Sequence, residues 1–143
     1  MRKVADVLSR KGSNAISVLP DNTVIEALKL MADENIGSVV VKDAAGKFLG
    51  VVSERDYSRK IVLHGKSSTE TRVSEIMSVD LPKVSPHDTI EHCMELMADK
   101  QVRYLPVFSG DEMTGIISMS DVVKETIIAQ QETIDHLKQY ITL

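Results

Sequence analysis

Apolar and polar positions along the chain follow a helical period and then a run of strands, and the whole sequence of patterns occurs twice. Val24, Ala27, Leu28 and Met31 fall at i, i+3, i+4 and i+7, the spacing of one apolar helix face. Ile90, Cys93, Met94 and Met97 repeat that spacing. Asn22-Thr23 and Asp88-Thr89 stand where caps belong, and Glu26 and Glu91 suit the first turn. Apolar runs then predict strands over 38–41 and 48–52 in the first copy, and over 105–108 and 113–117 in the second. Asp43-Ala44-Ala45-Gly46 and Ser109-Gly110-Asp111-Glu112 separate them as hairpin-length turns. Second helices are predicted to begin at Ser53 and Ser118.

The two copies align residue by residue. Val18-Leu19-Pro20-Asp21-Asn22-Thr23-Val24 matches Val84-Ser85-Pro86-His87-Asp88-Thr89-Ile90, and Leu30-Met31-Ala32-Asp33 matches Leu96-Met97-Ala98-Asp99. After a loop one residue shorter, Gly50-Val51-Val52-Ser53-Glu54-Arg55-Asp56 matches Gly115-Ile116-Ile117-Ser118-Met119-Ser120-Asp121. The lead-ins agree too: Lys3-Val4-Ala5-Asp6-Val7-Leu8-Ser9 is similar to Arg72-Val73-Ser74-Glu75-Ile76-Met77-Ser78, so each half opens with the same short amphipathic turn. The expected fold is α+β, two pseudo-symmetric β-α-β-β-α repeats at 1–65 and 66–143, joined by the polar stretch 65–70. A half of roughly 60 residues buries too little surface to be robust alone, so the two repeats are expected to pack sheet to sheet.

Beyond the second motif, Ile127, Ile134 and Ile141 recur every seven residues, with Val123 and Leu137 on adjoining seam positions. This predicts a long C-terminal helix over 122–143. Gln130 breaks the seam, so the helix should pack against a second subunit or the core rather than stand as an independent coiled coil.

Composition narrows the function classes. The 143 residues are 43% hydrophobic and 27% charged, as expected of a compact soluble protein. No apolar run reaches eighteen residues, and Met1-Arg2-Lys3-Val4-Ala5-Asp6 lacks the features of a signal peptide, so a cytoplasmic address without a membrane partner is expected. A formal charge of -4 is the wrong sign for nucleic acid. Cys93 is the sole cysteine, which excludes an intrachain disulfide and a cysteine-rich zinc site. His87, His92 and Cys93 are close in sequence, but Cys93 takes an apolar helix position. No Walker loop, dinucleotide turn or nucleophile triad is present, so no enzyme is expected.

The order of elements, each copy ending in Gly-x-x-Ser-x-x-Asp, resembles a tandem pair of CBS domains, the Bateman module. Ser53-Glu54-Arg55-Asp56-Tyr57-Ser58-Arg59-Lys60 also resembles stand-alone bacterial pairs. The resemblance covers nearly the whole chain. It implies a homodimer and a regulatory role, with AMP, ADP, ATP, NAD(H) or S-adenosylmethionine held in clefts between the repeats and an unidentified protein partner that responds.

Residue chemistry can be set beside that implication. Ser53/Asp56 and Ser118/Asp121 are capping boxes, and capping alone would account for them. Gly50 and Gly115 leave room for a ligand or another segment to approach the backbone. A carboxylate only accepts, so Asp56 and Asp121 suit the paired hydroxyls of a ribose. Ser53 and Ser118, at helix N-termini, suit phosphate, as do Arg55, Arg59, Lys60 and Arg103, although Arg59 and Lys60 also fit an ordinary solvated surface. Pro106 cannot donate to a ladder, so its strand should be an edge or bulge with neighbouring backbone open to an adenine. The resemblance places Ile16, Ser17, Ile36, Gly37, Ser38, Val51, Tyr104, Leu105, Pro106 and Ile116 around the adenine. Ser17 and Gly37 are matched by Lys83 and Arg103, so the two sites should be unlike, one for a mononucleotide and one for a more phosphate-rich or dinucleotide ligand. A nucleotide-independent dimerisation scaffold is the competing expectation.

Overall fold

A computed structural model describes residues 2–12 and 15–142. The chain forms two compact units, one of Ala15–Asp80 and one of Met1–Asn14 with Leu81–Leu143. These are not the sequence halves, because the two lead-in segments are exchanged.

In the 15–80 unit, β1 (Ser17–Val18), α2 (Val24–Glu34), β2 (Ser38–Lys42) and β3 (Phe48–Ser53) follow one another, where α1 is Val4–Lys11 of the other unit. The sheet order is β1-β2-β3, with β1 parallel and β3 antiparallel to β2. Thr23 caps α2 in a reciprocal box: its Oγ1 accepts from the Glu26 amide at 3.3 Å while Glu26 Oε2 accepts from the Thr23 amide at 3.1 Å. Helix α3 (Glu54–Asp56) continues as a π-helical stretch, Tyr57–Val62. The core joins Val24, Ala27 and Met31 of α2 with Val39, Val41 and Val52 of the sheet and Ile61. Val73 and Ile76 complete it. Val73 opens the short 3-10 turn Val73–Glu75 at the end of the unit, and Ile76 follows it directly.

The second unit repeats this plan with α4 (Ile90–Lys100), β4 (Tyr104–Ser109), β5 (Glu112–Ser118) and the 24-residue α5 (Met119–Thr142). β4 and β5 form an antiparallel pair, and Val84 bridges Val107 where β1 stands in the other unit. Its core joins Ile90, Cys93 and Met97 with Leu105, Val107, Ile117 and Val122. Val4 and Val7 of α1 occupy the places that Val73 and Ile76 take in the other unit.

The exchange is written in the main chain. The Val4 amide donates to Asp88 O and the Ile90 amide to Arg2 O, so the start of α1 docks on the start of α4. Matching bonds run from the Val73 amide to Asn22 O and from the Val24 amide to Thr71 O. The lead-ins themselves differ from the shared turn that their sequences predict, one being an eight-residue helix and the other a three-residue 3-10 turn.

α5 buries side chains only near its start. Val122 and Glu125 are its buried residues, and 130–142 are all exposed. This half of the helix therefore buries no side chain in the core, and meets its unit through the ion pair of Glu132 with Arg2. No helix among the described residues is long and apolar enough to cross a membrane.

Candidate functional site

Each Gly-x-x-Ser-x-x-Asp segment lies at a junction where a strand turns into a helix. At the β3–α3 junction, Asp56 Oδ2 accepts from the Ser53 amide at 2.9 Å and from Ser53 Oγ at 3.1 Å, and the Asp56 amide donates back to Ser53 Oγ at 3.1 Å. Its other oxygen is also engaged. Oδ1 accepts from Ser78 Oγ at 3.1 Å and lies 3.0 Å from Lys60 Nζ, which in turn donates to Ile76 O at 2.7 Å. Asp56 is thus a buried carboxylate with both oxygens satisfied by its own unit.

The β5–α5 junction shares the cap and differs in its surroundings. Asp121 Oδ2 accepts from the Ser118 amide at 2.9 Å, and the Asp121 amide donates to Ser118 Oγ at 3.2 Å. Lys11 Nζ, from the end of α1, reaches the same Oδ2 at 2.7 Å and donates to Ile116 O at 3.0 Å. Oδ1 of Asp121 has no partner among the described residues, and this side chain is the more exposed of the two acids, at 17% against 11%. The sequence assigns both acids to a ribose within unlike sites; the structure places the difference at the acids themselves, one sealed and one half open.

The helix amides are largely used. Glu54 N donates to Gly37 O at 3.1 Å and Met119 N to Arg103 O at 2.9 Å. With Asp56 N and Asp121 N also capped, few first-turn donors remain for a phosphate. Cationic side chains therefore matter more than helix ends.

The glycines accommodate the lead-ins. A Cβ on Gly50 would lie 2.7 Å from Ser78 O, and one on Gly115 would lie 2.7 Å from a terminal methyl of Leu8. Ser78 and Val51 pair through two backbone bonds of 2.8 and 3.0 Å. The approach that these glycines permit is thus made by protein.

The remaining sequence-derived residues divide by burial. Arg59 and Arg103 are exposed, Arg55 and Lys60 intermediate. Ser17 is exposed on β1, and Gly37, Ser38, Tyr104 and Ile116 are partly accessible. Ile16 and Ile36 lean on one core, Leu105 is wholly buried in the other, and Val51 and Pro106 are buried. A side chain such as Leu105 cannot line a pocket without leaving its core. The backbone beside Pro106 is not open either. Pro106 O accepts from the Val84 amide at 3.0 Å and the Phe108 amide donates to Val84 O at 2.8 Å, so the edge expected to face a base is covered by Val84.

Lys11 and Glu125 are the residues that sequence reading missed. Glu125 is buried and ion-paired: Arg10 Nη1 lies 2.5 Å from its Oε2 and Arg2 Nη1 lies 3.3 Å from its Oε1, with Arg2 also paired to Glu132. These ion pairs fasten α1, through Arg10, and the segment before it, through Arg2, to α5. Two grooves, of about 660 and 470 Å³, lie along α5 with Arg2 and Glu91 in both linings and no residue of either Ser-Asp junction among them. Among the described residues no group of three His, Cys, Asp or Glu side chains is placed to hold a metal ion.

A model of the CBS domain matches residues 4–63 and again 73–127. The chain belongs to the CBS-domain family. This CBS pair is 36% identical to a mitochondrial CBS domain-containing protein of Arabidopsis thaliana, over 96% of the chain and 71% of that protein. It is 30% identical to a CBS domain-containing protein of Bacillus subtilis, over 85% of the chain and 84% of the relative. Among solved structures, a protein with CBS domains from Burkholderia ambifaria superposes with a TM-score of 0.85 at 40% identity, covering 90% of the CBS pair and 96% of that chain. None of these names is that of an enzyme, and the pair fits a regulatory module.

Proposed function

We propose that this CBS pair is a cytoplasmic adenine-nucleotide sensor whose ligand is gripped first at the β5–α5 junction. The observation that carries the reading is the half-open carboxylate of Asp121, held in place by its own cap with one oxygen turned to no protein donor. A ribose diol supplies the two donors that such an oxygen lacks. AMP, ADP, ATP, NAD(H) and S-adenosylmethionine all carry that diol, and partner recognition by the CBS pair would change with the ligand bound. Asp56 must exchange Ser78 and Lys60 for a ligand, so the first junction should bind more weakly.

Calorimetric titration of the full chain with AMP, ATP and NADH tests the reading. Asp121→Ala should abolish the stronger binding event, with a smaller effect from Asp56→Ala. Wild-type protein that binds none of the three would refute it and leave the scaffold reading.

A homodimer is proposed alongside, and a separate observation favours it. Ile134, Leu137 and Ile141 line one face of the exposed half of α5 at 45, 59 and 82% exposure, a seam that a second copy of the helix would cover. Sedimentation velocity should show a dimer that dissociates when the chain is ended at residue 129. A monomer at all concentrations would refute this part.

A further inference from the structure

We propose that Lys11 selects for phosphate at the Asp121 junction, making the CBS pair prefer phosphorylated adenosine over the bare nucleoside there. This inference rests on the reading that Asp121 takes the ribose.

Lys11 comes from the opposite end of the chain, yet its ammonium makes the shortest contact to Asp121, 2.7 Å to Oδ2, and a second bond of 3.0 Å to Ile116 O. An ammonium has three donors. The third finds no partner among the described residues, and the side chain is 36% exposed. The base of the lysine is fixed, and its ammonium keeps one donor to spare. Arg10, the preceding residue, is bound to buried Glu125 at 2.5 Å, and Leu8 rests on Gly115, so the end of α1 is held over the junction. A flexible four-carbon stem can leave Ile116 O and follow a phosphate while the carboxylate stays with the sugar.

The need for such a residue follows from the main chain. The Met119 and Asp121 amides at the start of α5 are already spent on Arg103 O and Ser118 Oγ. A phosphate arriving here meets a carboxylate and few spare amides. Without a cation the junction would repel it.

Among the described residues, the other junction draws no cation from a lead-in. In the matching lead-in, the position of Lys11 is Asp80, an acid. Lys60 sits at Asp56 instead, on the same helical stretch and four residues away, with its second bond to Ile76 O and with Ser78 filling the carboxylate's other side. Phosphate selection by a lead-in residue is therefore particular to the second junction.

The test is calorimetric titration of full-length wild type, Lys11→Ala and Lys11→Arg with adenosine and with AMP. A charge-assisted bond to phosphate predicts that Lys11→Ala weakens AMP about tenfold or more, leaves adenosine within about twofold, and that Lys11→Arg restores most of the AMP affinity. Added salt should weaken AMP binding to wild type and hardly affect Lys11→Ala. Equal loss of both ligands, or no loss of AMP, overturns the inference, while wild-type binding of adenosine would leave the ribose reading standing. Wild type that binds neither ligand overturns the ribose reading itself, and this inference with it. Circular dichroism of each variant, with Lys11→Arg as the conservative one, separates loss of binding from loss of fold.

Discussion

The two motif glycines occupy the same place in each repeat, yet they should not tolerate alanine equally. A methyl on Gly50 would stand 2.7 Å from the carbonyl oxygen of Ser78 and 3.3 Å from Met77 Sδ. That oxygen accepts from the Val51 amide at 3.0 Å and belongs to a backbone bridge, so it cannot rotate away. Relief requires the 77–78 segment to move. Overpacking of this kind costs about 1–3 kcal/mol, and weakening the bridge adds about 0.5–1.5 kcal/mol for each bond stretched. Restricting the unfolded chain returns about 0.4–1 kcal/mol. Gly50→Ala should therefore lose about 2–3 kcal/mol. At Gly115 the clash, also 2.7 Å, is with a terminal methyl of Leu8, which a change of rotamer moves. That costs about 1 kcal/mol, nearly cancelled by the same entropic gain. Urea denaturation followed by circular dichroism would read the difference, about 2 kcal/mol between two variants of identical chemistry. Gly115→Ala proving as destabilising as Gly50→Ala would refute the reasoning, because it would mean that the lead-ins do not set the cost.

Three further outcomes are expected. Cys93 is fully buried and burial pushes its thiol up to about 11, so maleimide labelling at neutral pH should follow unfolding, and fast labelling of native protein would contradict the core assignment. Because the folded thiol titrates above its ordinary 9.0, its contribution to stability is complete below that pH and declines as pH rises toward 11, which a denaturation series with Cys93→Ala as control would show. Glu125→Ala should cost about 1–2 kcal/mol, well below the loss of a fully buried pair because Arg10 is 47% exposed and can be rehydrated, and amide exchange should accelerate over α1 first. A fragment of residues 15–80 should fold more stably than one of 1–65, since only the former contains buried Val73 and Ile76, and the opposite order in thermal melts would overturn the exchanged-unit description.

The helices and strands were legible because their burial pattern is periodic. Val24, Ala27 and Met31 point into one core just as their spacing predicts, and Thr23 and Thr89 cap where a hydroxyl precedes an apolar run. The strands outran their expected ends, β3 reaching Ser53 and β4 starting at Tyr104, because ladder bonds extend over polar residues that hydropathy does not mark. The Ser-Asp pairs were legible as caps. That the two sites differ was legible too, but not that Ser78, Lys60 and Lys11 make the difference, since these arrive at the acids through the fold. The π-helical turn at Tyr57–Val62 leaves no mark in apolar spacing.

The exchanged lead-ins were hidden for a different reason, since likeness between repeats says which segments correspond and not which ones touch. The charges nevertheless carry the exchange. Position 60 is Lys in the first repeat, and its match in the second is Glu125. If each lead-in served its own repeat, Arg2 and Arg10 would lie near Lys60, cation against cation. They lie instead on Glu125, while the lead-in that docks near Lys60 has Thr71 and Val79 at the matching positions and offers the carbonyl of Ile76. The sign change at one helix position is thus answered by a change in the lead-in of the opposite repeat. The same logic gives the two junctions their different cations: Lys60 is built into the first, whereas Lys11 reaches the second only because the start of the chain folds onto its end. Anything that undocks α1 removes a cation from Asp121 and from no other motif residue, which couples the state of the N-terminal helix to the junction where a nucleotide is proposed to bind.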